Sequence, residues 1–202
     1  MKYFFIFLFT ISINAQILPS QQGSHFKKNS VSSDTWDSSI KPSCTTFSNS
    51  DRTSLENNCS NNWSTVYGEI AVSSGIQEWE VTINSLNKDA NGAGLDMTIG
   101  IVNLRNNKDS WSTNSAATGT VGYVYDSRGK KETNLTGANV FSSYGASYSA
   151  GDVIKISLNM NNRELTFYKN GTSQGVAYTV ATGTYYLSST FYKETGASLT
   201  IN

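Results

Sequence analysis

Leu165-Thr166-Phe167-Tyr168-Lys169-Asn170-Gly171-Thr172-Ser173-Gln174-Gly175-Val176-Ala177-Tyr178 is the stretch of this 202-residue chain that decides its fold. Leu165 to Tyr168 alternates apolar and polar residues, and Gly175 to Tyr178 supplies a second strand-like run. Asn170-Gly171 lies between them. A type I′ turn needs two positive φ angles, which Asn and Gly adopt most readily, so this pair predicts a β-hairpin.

The same period of two extends outward in both directions. Trp79-Glu80-Val81-Thr82-Ile83 and Val153-Ile154-Lys155-Ile156-Ser157-Leu158 alternate, and Met97 to Val102 reads as a strand nearly apolar on one face. Tyr185 to Phe191 and Ser198 to Ile201 close the chain as strands. No segment carries a capped 3.6-residue period. Ser, Thr and Asn make up about a third of the chain, a composition that favours strands and turns over helices. Short strands with Gly-bearing turns predict an all-β fold, a β-sandwich or barrel. Trp63, Trp79, Tyr123 and Phe167 are the expected core aromatics.

The N-terminus reads differently. Lys2 precedes an apolar run from Tyr3 to Ile13, and Ala15 offers a small residue before a cut. A run this short falls well below the roughly 20 residues that span a bilayer. Residues 1–15 therefore read as a secretory signal peptide, residues 16–43 as a flexible polar lead-in, and residues 44–202 as the folded domain. Trp36 and Ile40 are the expected anchors where the lead-in meets the domain. The expected location is extracellular, with no membrane span.

Export gives the two cysteines meaning. Cys44 and Cys59 would be free to pair in an oxidising compartment, and a loop of that size would contribute about 3 kcal/mol in the chain-entropy account. Asn58, Asn62, Asn134 and Asn170 head N-x-S/T sequons and are glycosylation candidates wherever the source modifies exported proteins.

Chemistry is constrained by what is scarce. The one histidine, His25, lies in the lead-in, where nothing would hold it beside a nucleophile. Two cysteines and a remote histidine do not make a zinc site. Asp89-Ala90-Asn91-Gly92 begins like a calcium loop, but Gly100 stands where the bidentate Glu belongs. No metal or cofactor is expected. Net charge is zero, from 15 basic and 15 acidic residues, so phosphate-driven nucleic-acid binding is not expected either. Glu78 and Glu80 alternate onto one face about 7 Å apart, whereas retaining glycoside hydrolysis places its two carboxyls across a cleft. No flanking acid-rich strand supports such a cleft, so an enzyme is not expected.

Several of these strands together resemble a known family. Ser74-Gly75-Ile76-Gln77-Glu78-Trp79-Glu80-Val81 resembles the opening signature of SPRY domains. Thr98 to Val102 is similar to the strand that follows there, and Gly122-Tyr123-Val124-Tyr125-Asp126-Ser127-Arg128-Gly129-Lys130 to its aromatic strand and turn. Most specific is the spacing from Tyr144-Gly145 through Ala150-Gly151-Asp152-Val153-Ile154 to Leu165–Gly171 and Gly175-Val176-Ala177. The resemblance runs in order from about residue 60 to the C-terminus. Lys155, Asn159 and the proline-free Tyr185-Tyr186-Leu187 depart from the family pattern, which bears on membership of its intracellular ubiquitin-ligase subgroup and not on the fold.

The resemblance implies a bent, all-β, two-sheet antiparallel β-sandwich of the concanavalin A-like kind, without cofactor, that binds a protein or peptide through loops at one end. Asn61, Asn62, Trp111, Tyr192 and Lys193 are the expected partner-binding residues, the aromatics acting as anchors among polar side chains. The alternative is a carbohydrate-binding module, with Trp111 beside Asn106 and Asn107 offering an aromatic face and amides to a glycan.

Overall fold

A computed structural model describes residues 33–56, 63–86, 97–105, 119–135, 140–192 and 196–202. The chain forms the expected all-β sandwich of two antiparallel sheets. Its strands are β1 (Thr45–Ser48), β2 (Thr53–Glu56), β3 (Trp63–Tyr67), β4 (Ile76–Ser85), β5 (Met97–Val102), β6 (Gly122–Asp126), β7 (Lys130–Thr133), β8 (Val140–Ser143), β9 (Val153–Asn159), β10 (Glu164–Lys169), β11 (Thr172–Thr179), β12 (Tyr186–Tyr192) and β13 (Ser198–Ile201). One sheet has the order β1-β2-β13-β4-β9-β10-β11, the other β3-β12-β5-β6-β7-β8.

Alternation selects the core. Trp79, Val81 and Ile83 of β4 turn inward beside Ile154, Ile156 and Leu158 of β9 and Leu165 and Phe167 of β10. Met97, Ile99 and Ile101 of β5, with Tyr123 and Tyr125 of β6, meet them from the opposite sheet. The polar residues between face away, as in any strand buried on one side. Asn170 and Gly171 take φ of 48° and 78°, the positive pair that a type I′ turn requires. Asn170 Oδ1 also accepts the Val153 N–H at 2.8 Å, tying the hairpin tip to β9. β11 departs from a regular hairpin by two register irregularities against β10.

The end of the lead-in packs on the domain through the expected anchors Trp36 and Ile40. Asp34 and Trp36 are buried, at 1% and 0% exposure. Asp34 Oδ1 accepts the backbone N–H groups of Glu69 and Ile70, at 2.9 and 3.0 Å. Its Oδ2 accepts the indole N–H of Trp79 at 2.8 Å. Trp36 bridges to Gly68, where any Cβ would run into the Asp34 carboxylate. Ile40 packs with Tyr67, Val102, Val124 and Tyr186 in a second cluster. The end of the lead-in is therefore part of the domain, because a buried carboxylate and a tryptophan bind it to both sheets. Residues 1–32, which hold the signal-peptide expectation and His25, lie outside the described residues.

Candidate functional site

The strand directions sort the expected partner-binding residues by end. β12 runs toward Tyr192, which stands in register with Trp63, and Phe191 stands in register with Met97. The start of β3, the start of β5 and the end of β12 thus share one end of the six-stranded sheet. Asn61, Asn62 and Lys193 adjoin that end in sequence but lie outside the described residues. Trp111 also lies outside them. The described flanks of its segment, Arg105 and Gly119, adjoin Val102 and Gly122, which pair with each other at the opposite end of the same sheet. The five residues were expected on one surface; the topology gives Tyr192 and the flanks of Trp111 opposite ends.

Trp63 is half-buried, contrary to its expected core position. It is the first residue of an edge strand, on the face turned away from the core. Tyr192, expected as an exposed anchor, is half-buried too. The reason is mutual: the two rings stack with centroids 4.4 Å apart and planes tilted by 32°. Next on the same face, the hydroxyls of Thr65 and Thr190 hydrogen-bond at 2.9 Å and are fully buried. The aromatic pair therefore sits on a ledge that its own cross-strand neighbours hold still.

A buried carboxylate braces this end from the core side. Glu56, the last residue of β2, is fully buried. It accepts the hydroxyls of Thr45 at 2.8 Å and Ser64 at 2.7 Å, joining β1 and β2 of one sheet to β3 of the other. Its backbone accepts the Gly196 N–H at 2.7 Å and donates to the Ala197 carbonyl at 2.9 Å, while Ser85 Oγ donates to the Gly196 carbonyl. Burial pushes the Glu56 carboxyl above its ordinary range, opposed by the Ser64 and Thr45 hydroxyls and by the Lys41 charge. Cys44, just before β1, is disulfide-bonded. Cys59, the chain's other cysteine, lies outside the described residues.

Other candidates resolve into structure. Asn134 was a glycosylation candidate, but the folded domain buries it: its Oδ1 accepts the Gly122 N–H at 2.9 Å and its Nδ2 donates to the Thr120 carbonyl at 3.0 Å. That amide nitrogen is spoken for by the backbone. Asn170 is exposed at its turn; Asn58 and Asn62 lie outside the described residues. Glu78 ion-pairs with Lys155 at 3.3 Å, and Glu80 stands in register with the same lysine. Glu78 thus serves a cross-strand charge contact. Among the described residues, no cluster of three His, Cys, Asp or Glu side chains is placed to hold a metal ion, and no helix is long and apolar enough to cross a membrane.

Sequence reasoning missed Glu56, Ser64 and the partnership of Trp63 with Tyr192. Nothing local marks them, since each acquires its role from strands far away in the chain.

Comparison with known proteins follows the same lines. A family model described as the SPRY domain matches residues 77–202. The dual specificity protein kinase splA of Dictyostelium discoideum is 42% identical over 64 residues, 32% of this chain and 3% of that protein. The matched segment is thus a small fraction of that relative's length. The SPRY domain of human HERC1 superposes with a TM-score of 0.61 at 20% identity, over 82% of this chain and 96% of that one. The TRIM65 PSpry domain gives a TM-score of 0.57 at 15% identity, over 84% and 91%. At these identities the two structures bear on the fold alone.

Proposed function

We propose, from the premise that this chain belongs to the SPRY domain family, that it is an exported module holding a protein or peptide partner at the end that carries Trp63 and Tyr192. SPRY domains generally mediate protein–protein interaction. The observation that carries the reading here is the stacked Trp63–Tyr192 pair at the end of a braced sheet. Aromatic rings fixed before binding lose little freedom when a partner arrives, so their contact area is kept as affinity. Asn61, Asn62 and Lys193, adjoining in sequence, would supply polar contacts around them. Export is supported by the Met1–Ala15 pattern and tested by intact mass: the exported form should begin after Ala15.

Random peptides displayed on phage and selected on the domain test the binding site. Tyr192→Ala should weaken selected peptides by roughly thirtyfold, a loss of about 2 kcal/mol typical of a hot spot. Peptides that bind Tyr192→Ala as well as wild type would refute the site. Glycan-array binding without any selected peptide would favour the carbohydrate reading instead.

A further inference from the structure

The outermost strands of a sheet present N–H and C=O groups that no ladder satisfies, and proteins blunt such edges with cover, charge, proline or bulges. Among the described residues, the two sheets end on β1, β11, β3 and β8. At β3, Asp37 donates its N–H to the Tyr67 carbonyl at 2.7 Å, and four of the five strand residues are buried. At β1, the Lys41 ammonium takes the Thr45 carbonyl at 2.7 Å. β11 is twice irregular, and Tyr144 and Lys131 donate to its Gly175 and Ala177 carbonyls.

β8 has none of these devices among the described residues. Val140-Phe141-Ser142-Ser143 pairs with β7 in unbroken register, contains no charge and no proline, and is exposed at every position. Val140 and Phe141 are 50% and 49% exposed. Tyr144 donates its N–H to Gly129 at 3.0 Å, so that pair is a hydrogen-bonded one. By alternation, Val140 and Ser142 turn their backbone groups to β7, whereas Phe141 and Ser143 turn theirs outward.

We propose that the β8 edge is a second docking site, which takes an extended peptide segment of a protein partner as a further strand of the six-stranded sheet. Main-chain bonds to Phe141 and Ser143 fix the register of that strand. An apolar side chain packs beside Phe141. An acidic side chain two positions away, on the same face, reaches across the small Ser143 to the exposed Lys130, which stands opposite Ser143 in β7. A second copy of this chain does not fit as occupant. Four strand residues span about 13 Å, far too little to bury the roughly 800 Å² per partner of a stable dimer. A short, transient peptide contact suits an edge of this length.

The test uses random eight-residue peptides displayed on phage and selected on the full chain. Ser143→Pro deletes an outward N–H without touching the β7 ladder, a place where an edge strand tolerates proline. A class of selected peptides should lose at least tenfold in affinity on Ser143→Pro and on Phe141→Lys, yet bind Tyr192→Ala within twofold of wild type. Their binding should slow hydrogen exchange at the Phe141 and Ser143 amides. If Ser143→Pro melts well below wild type, Phe141→Lys and the exchange measurement decide the matter. The proposal is overturned if no selected peptide is sensitive to the β8 variants, or if every sensitive peptide is equally sensitive to Tyr192→Ala. A dimer in sedimentation that Ser143→Pro converts to monomer would overturn it in favour of a second copy.

Discussion

Replacing Asp34 with alanine should unfold the domain far more readily than any surface change. The carboxylate is 1% exposed and joins the lead-in to the Glu69 and Ile70 amides and to the Trp79 indole. Hydrogen bonds to a charged group contribute about 1.5–3 kcal/mol each, and a buried donor left without a partner costs about 1–3 kcal/mol. These terms overlap, and the mutant is spared the desolvation of the carboxylate. A net loss of about 3–5 kcal/mol follows from the several N–H groups left without their acceptor. For a domain of this size, that lowers Tm by roughly 10 °C.

Urea unfolding followed by far-ultraviolet circular dichroism measures the loss, and a double-mutant cycle locates it. Asp34→Asn preserves Oδ1 for the backbone donors of Thr35, Glu69 and Ile70 but sets an NH₂ group against the Trp79 N–H. It should cost about 2 kcal/mol in wild type, and about 1 kcal/mol less in a Trp79→Phe background, where the opposing donor is gone. A loss below about 1 kcal/mol for Asp34→Ala would refute the account, and so would an Asp34→Asn cost identical in both backgrounds. Either result would mean that the lead-in lies against the domain without holding it.

Three further outcomes are expected. The raised pKa of Glu56 means the folded protein holds that proton more tightly than the unfolded chain, so its contribution to stability is complete below the ordinary value of 4.5 and lost as pH rises through the raised value. Glu56→Gln should remove that part of the pH dependence, and identical slopes of stability against pH in the two proteins would show the inference wrong. Thiol titration of the unfolded, unreduced exported protein should find no free sulfhydryl, given a Cys44–Cys59 bond; two free thiols would exclude the pairing. Asn134→Ala removes the acceptor of the Gly122 N–H and a donor to the Thr120 carbonyl and should cost about 1–3 kcal/mol in urea unfolding, against almost nothing if that amide were a surface group.

The sandwich was legible because its longer strands declare themselves locally. β4, β9 and β10 alternate apolar and polar side chains within a short window, β5 and β12 read as strands from their apolar and aromatic residues, and Asn170-Gly171 names its turn by backbone preference alone. β1, β2, β7 and β8 went unrecognised. Thr-Thr-Phe-Ser, Thr-Ser-Leu-Glu, Lys-Lys-Glu-Thr and Val-Phe-Ser-Ser are too short and too polar to show a period. They are strands because a neighbour supplies the hydrogen bonds.

By itself, then, the sequence determined the fold class, the hairpin tip and the inward face of the alternating strands β4, β9 and β10, since all three follow from side-chain chemistry within a few residues. Tertiary structure alone decided what those faces meet. It set Tyr192 against Trp63 by register, hid Asn134 behind two backbone groups and gave Asp34 a tryptophan to hold. It also placed Val140–Ser143 outermost among the described strands of its sheet. Burial and hydrogen-bond partnership are properties of pairs of distant segments, and no local pattern encodes which distant segment will arrive.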